Sequence, residues 1–114
     1  MKLLVATRYN RNLGPRYKYQ SPKHDSGEEF RESLLLPALK KCIKEKDILY
    51  VVFDGCSGAG VSFLEESFGG LIRAGVQYDD IKKWMKIEWK SNPRKKEQAE
   101  GYIKKAYDQK KGNL

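Results

Sequence analysis

Histidine is almost absent from this chain, cysteine is scarce, and apolar residues never run long. Two cysteines and one histidine in 114 residues leave little material for a disulfide framework or a zinc site. Cys42 and Cys56 fall in different predicted elements, form no Cys-x-x-Cys pair and make no metal-type spacing with His24. They read as free thiols, one partly buried and one in a loop. His24 sits in a polar turn with no sequence neighbour to orient it, which argues against acid–base chemistry. No stretch approaches the roughly 18 apolar residues of a membrane span. The opening MKLLVATRYN meets Arg8 too soon for a signal sequence. A cytoplasmic protein is expected, with no membrane, metal or cofactor called for.

Charge is what the chain has in quantity. Charged residues make up 33% of it, hydrophobic ones 39%, and the formal net charge is +8. The excess is placed unevenly. From Lys82 onward eleven Lys and Arg face four Asp and Glu, whereas the residues before it hold twelve against eleven. Such asymmetry marks a surface for nucleic acid or for an acidic protein. The length predicts one domain over 1–114, able to bury roughly two-thirds of its unfolded surface. Its core is expected over about 2–90, followed by a basic C-terminal helix over about 93–110.

The rest is organised around residues 48–75, read as an apolar strand, a glycine-rich loop and an amphipathic helix. Ile48 to Phe53 is continuously apolar, the pattern of a central strand buried on both faces. Asp54-Gly55 ends it. Ser62-Phe63-Leu64-Glu65 reads as a capping box opening a helix whose buried face is Phe63, Leu64, Phe68, Leu71 and Ile72. Gly75 is its natural stop. Gly69-Gly70 in mid-helix costs on the order of 1 kcal/mol per glycine, which predicts a close backbone approach there.

Around this centre the other elements follow. Residues 2–9 alternate with both sets beginning apolar, as in an inner strand. Residues 16–20 read as a short, polar edge strand returning from the turn at Asn10–Pro15. Ser26-Gly27-Glu28-Glu29 is another capping box. The helix after it shows Phe30, Leu34, Leu35, Ala38, Leu39, Cys42 and Ile43 on one face, with Pro37 expected to kink or split it. Asp79 caps a short helix over 80–84. Met85, Ile87 and Trp89 alternate with charged residues, as in a near-edge strand with one wet face. Asn92 and Pro93 open the last helix, whose thin apolar stripe is expected to be Ala99, Tyr102, Ile103 and Ala106, with Tyr107 at its margin. The order β-β-α-β-α-(α)-β-α predicts an α/β fold, a mixed or mainly parallel sheet of about four strands with helices packed on it.

GPRY (14–17), SGEEFRESLLLP (26–37) and VSFLEESFGGLIR (61–73) together resemble the bacterial and phage STAS-like domains of unknown function. These are distantly similar to anti-sigma-factor antagonists. The resemblance implies a STAS-like fold over most of 2–90. In the antagonists, a histidine-kinase-like ATPase partner phosphorylates a serine at the start of the helix after a central strand. The unphosphorylated domain binds that partner and the phosphorylated form releases it. By position the resemblance carries that role to Ser62 only. The loop at 55–60 is longer and richer in glycine than the turn of the antagonists.

Each constellation has a plain reading and a functional one. A cap accounts for Ser62 completely; as a phosphosite it would gain from the helix dipole but meet repulsion from Glu65 and Glu66. Ser57 is the second acceptor candidate in the loop. Gly55-x-x-x-x-Gly60-Val61-Ser62 is one residue from a P-loop, with Val61 where the lysine must stand; backbone N–H groups could still hold an anion. Cys56 lacks a base, and Asp54 is a turn former before it is a metal ligand. The partner-binding set is therefore Asp54, Cys56, Gly58, Gly60, Phe63, Glu65 and Glu66. A separate basic set, Arg8, Arg11, Arg16, Tyr17 and Lys18 with Arg94, Lys95 and Lys96, reads as a solvated surface or as a nucleic-acid contact in phage–host conflict. The favoured reading is a non-enzymatic regulatory domain binding a protein partner through 54–68. Homodimerisation through an edge strand or the lysine-rich helix is left open.

Overall fold

Three short parallel strands form the base of the molecule, and every long helix lies on one side of them. The computed structural model describes residues 1–112. In chain order it contains β1 (Lys2–Leu4), α1 (Val5–Arg8), a 3-10 turn (Lys18–Gln20), α2 (27–45), β2 (Leu49–Val52), α3 (61–73), α4 (Tyr78–Trp84), β3 (Met85–Glu88) and α5 (Pro93–Gly112). The sheet order is β1-β2-β3, with Leu3 opposite Val51 and Val51 opposite Ile87. Two crossovers of one hand stepping in one direction place their helices on one face. Leu3, Leu49, Val51, Phe53, Met85, Ile87 and Trp89 are accordingly buried. Lys2, Leu4, Tyr50, Val52, Lys86 and Glu88 point to the other face and stay exposed or half-buried. The expectation that the first and central strands are buried on both faces is thus corrected. A continuous apolar run does not separate a two-sided strand from a one-sided one.

The fourth strand is not found among the described residues. Residues 16–20 instead form part of a strap over the start of α2. The Pro15 and Arg16 carbonyls accept from the N–H groups of Gly27 and Glu28, both at 2.9 Å. A helix start leaves four such donors unpaired, and the strap satisfies two of them. The Ser26 hydroxyl takes a third, from Glu29 at 3.1 Å. The first strand also stops early. After Leu4 the chain coils, with the N–H groups of Tyr9 and Asn10 both donating to the Val5 carbonyl. This carries Tyr9 beneath α2, its ring 5.2 Å from that of Phe30.

Both central helices contain a π-helical turn, Arg31–Leu35 in α2 and Glu65–Gly69 in α3. In α2 the wider turn immediately precedes Pro37 and accommodates it, so the helix continues where a kink or split is expected. From Phe63 to Ile72 all of α3 except Glu65 is buried. It is the central helix, with α2 on one flank, α5 on the other and the sheet below. Phe53 joins the layers: its ring lies 4.9 Å from Trp89 and 5.9 Å from Phe68. Ala99, Ile103 and Ala106 form the buried stripe of α5, as expected. The short helix α4 begins at Tyr78, two residues earlier than expected, with Gln77 rather than Asp79 as its cap and no side-chain cap bond.

Candidate functional site

The carboxyl ends of the strands deliver three segments to one edge, and backbone bonds tie them together. The Ser57 N–H donates to the Arg11 carbonyl at 2.9 Å, and the Ser57 hydroxyl donates to Asn12 Oδ1, also at 2.9 Å. Cys56 Sγ donates to the Asn10 carbonyl at 3.5 Å, and burial pushes this thiol up to about 11. Cys56 is therefore a thiol at neutral pH, held as part of the loop. On the other side, Asp54 accepts from the N–H groups of Lys90 and Ser91 and from the Ser91 hydroxyl, at 3.0–3.1 Å. Gly55 turns the chain between these anchors at φ +99°. The loop is thus clamped from both flanks, with Ser57 and Asp54 serving as its fasteners.

The bond to the Ser91 N–H holds the Asp54 carboxyl below its ordinary 3.8. Its stabilisation is complete above that value and is lost as the pH falls through the lower folded value. Asp54→Asn, with no carboxyl to protonate, is expected to abolish the acid loosening of the loop, and Asp54→Ala to speed amide exchange at Lys90 and Ser91 at every pH. Nuclear magnetic resonance exchange rates check both. Unchanged protection in Asp54→Ala would refute the clamp.

Beyond the clamp the loop is open. Ala59 is buried, but a side chain at Gly58 or Gly60 would meet nothing within 4 Å. Gly60 caps α3 through its backbone, so the expected Ser62–Glu65 capping box does not form. Val61 is 53% exposed, and Ser62 beside it is exposed. The Ser62 hydroxyl makes no hydrogen bond to any described residue. Phe63 turns the other way and stacks on Phe30 at 5.7 Å, so it belongs to the core rather than to a docking surface.

Glu65 and Glu66 are engaged elsewhere. Arg16 Nη1 reaches Glu65 at 2.5 Å and Glu66 at 3.5 Å, Arg73 binds Glu65 at 2.7 Å, and Arg31 pairs with Glu66. Arg31 also donates to the Glu66 carbonyl at 2.7 Å. Burial alone would push the Glu65 carboxyl up, but the hydrogen bonds from Arg73 and Arg16 outweigh it and hold the group below the ordinary range. Gly69 and Gly70 leave the space this cluster fills: a Cβ on either would overlap the side chain of Glu65 or Arg31. Gly14 does the same for the Asp25 carboxyl.

This cluster is where the three recognisable segments meet, through Arg16, Arg31, Glu65, Glu66 and Arg73. Sequence reasoning missed it because the three arginines lie far apart in the chain. The available signal was a pair of glutamates inside an otherwise buried apolar helix, which demands cations from elsewhere.

The basic set is divided. Arg16 is committed to the cluster, and Lys18 pairs with Glu32 at 2.8 Å. Tyr17 stacks on the largely exposed Tyr19 at 5.6 Å. Arg8, Arg11 and Arg94 are exposed, and Lys95 and Lys96 are half-buried at the start of α5. The structure therefore brings Arg11 and Lys90 to the two flanks of the loop but assembles no continuous surface from the expected set.

A family model described as a STAS-like domain of unknown function matches residues 26–94. That span includes β2, the loop and α3, where the site lies, and reaches the first residues of α5. Comparisons with curated proteins and with solved structures find no match in either. Among the described residues no helix is long and apolar enough to cross a membrane.

Proposed function

The chain belongs to the family of STAS-like domains of unknown function, and from that premise we propose that it is a non-enzymatic regulatory domain. It docks a protein partner on the corner formed by the loop and the start of α3, over 54–68, and Ser62 is its switch. The observation that carries this reading is the state of Ser62. The residue sits on the second position of a 13-residue helix, exposed, beside an exposed valine, with a hydroxyl that serves no bond within the described fold. Its sequence-level role as a cap is taken by Gly60.

The electrostatic objection also loses force. Ser62 lies one turn before Glu65 and Glu66 on the same helix face. Those two carboxylates are met by Arg16, Arg31 and Arg73, so a phosphate added at the helix start faces local charge that is no longer negative. The resemblance to anti-sigma-factor antagonists indicates a histidine-kinase-like ATPase as the partner class.

Incubation with such an ATPase and ATP is expected to add one phosphate, mapped to Ser62 by mass spectrometry and lost in Ser62→Ala. Ser62→Asp is expected to weaken partner binding about tenfold or more, through unfavourable charge at the interface. Absence of phosphate together with unchanged binding by Ser62→Asp would remove the switch.

A further inference from the structure

A second surface lies away from that corner, at the outer edge of β3. There a cleft of about 310 Å³ opens between α4 and α5. Its floor is apolar, made by Ile81, Met85, Ile87 and Ile103, and its rim carries Lys82, Lys86 and Lys96 against the single acid Glu100. β3 pairs with β2 on one side and with no other described strand.

The hydrogen-bonding phase of β3 follows from its register. The Phe53 N–H donates to the Glu88 carbonyl at 2.9 Å, with Val52 opposite Glu88 and Tyr50 opposite Lys86. In a parallel pair alternate residues turn both backbone groups to the neighbour. Lys86 and Glu88 therefore face β2. Ile87, only 3% exposed as a whole residue, directs its N–H and C=O outward at the floor of the cleft, so an incoming strand reaches them only by displacing the side chains of the rim. No described residue bonds to either group, whereas the N–H of Met85 is already taken by the Ile81 carbonyl.

We propose that this cleft accepts an extended acidic peptide segment of a partner protein, which adds to the sheet as a fourth strand beside β3 through the free N–H and C=O of Ile87. Two features select the occupant. Unpaired backbone groups on an edge strand are a template for another strand. Three lysines against one glutamate select acidic side chains on that strand. Lysine on an exposed edge also serves to repel other strands, but such a guard needs only the strand's own Lys86. Lys82 comes from α4 and Lys96 from α5, so the cations surround a concave apolar floor rather than mask a flat edge. The surface is separate from the Ser62 corner, and its test is independent of phosphorylation.

The probe is a fluorescein-labelled acetyl-Glu-Val-Glu-Ile-Glu-Val-amide, titrated against the full chain by fluorescence polarisation. Saturable binding is expected below about 1 mM, and a peptide with lysine in place of each glutamate should not bind. Lys82→Glu with Lys86→Glu, both exposed positions, is expected to weaken binding at least about tenfold. Two further peptides, N-methylated on one or the other alternate set of amides, are expected to separate. The set facing β3 loses binding and the other keeps it, because only one set bonds to the edge. Amide exchange at Ile87 should slow at saturation.

No saturable binding to about 1 mM, equal loss with both methylated peptides, or binding that leaves Ile87 exchange unchanged would each overturn the proposal. So would capture of dodecanoate in the cleft with no peptide bound. That result would make the cleft a fatty-acid site, its tail on the apolar floor and its carboxylate on the lysine rim.

Discussion

Replacing Gly27 with alanine is expected to lower the melting temperature by roughly 10–20 °C, from an overpacking cost of about 3 kcal/mol. Gly27 is buried at the start of α2, where that helix crosses α3. An added Cβ would lie 2.6 Å from the Phe63 carbonyl oxygen and 3.2 Å from the Phe63 Cα, both backbone atoms of a buried helix. Neither atom can swing aside as the end of a flexible side chain could. The Gly27 carbonyl also accepts from the buried Ser67 hydroxyl at 3.3 Å, so displacing the helices would break that bond as well. Gly101→Ala is the control, since a Cβ there meets nothing within 4 Å. It lies within α5, where alanine is intrinsically favoured, and should stabilise by up to about 1 kcal/mol. Thermal unfolding followed by circular dichroism separates the two. A Gly27→Ala protein melting within a few degrees of the parent would show that α2 and α3 are not locked at this crossing.

The second large effect belongs to the pair Arg31 and Glu66. Their side chains are only 13% and 10% exposed, so removing one leaves the other a buried charge with longer pairings alone. These are Glu66 to Arg16 at 3.5 Å and to Arg73 at 3.8 Å, or Arg31 to Glu32 at 3.9 Å. Arg31→Met and Glu66→Leu are each expected to cost about 3 kcal/mol or more in urea unfolding. The double variant, which removes both charges of this pair, is expected to recover most of that loss, giving a coupling energy of about 2 kcal/mol. Glu65 remains paired with Arg16 and Arg73 in every variant, which keeps the rest of the cluster as an internal reference. Additive losses in the double variant would mean that the two residues contribute through packing rather than through each other.

How much of this was legible depended on the distance over which each residue acts. The Ser26 cap, the Asn92–Pro93 start of α5, the Gly75 stop and the buried stripe of Ala99, Ile103 and Ala106 are local patterns, and each stands where the sequence puts it. Residues 16–20 read as an edge strand because the backbone partners of the strap they belong to lie in another element. The same extended shape serves a helix start as well as a sheet. Ser62 and Glu65 satisfied the capping-box pattern, but Arg16 and Arg73 compete for that glutamate across the fold and win it. The loop at 54–60 was legible as a site, and Asp54 and Cys56 within it were legible as structural before functional. The cluster beneath it was not, because no local pattern links residues 16, 31 and 73.

The paired π-helical turns have a consequence for comparing this chain with its relatives. Each wide turn holds one residue more than a regular helix of the same rise, so the buried stripe before it and the stripe after it run out of phase by one position. A relative that forms the same two helices without the wide turns would be one residue shorter at each place. Its sequence would align with this one only through single-residue gaps at 31–35 and 65–69. Those gaps would fall on Arg31, Glu65 and Glu66. The length of a relative across these two windows therefore reports whether it can build the same ion cluster.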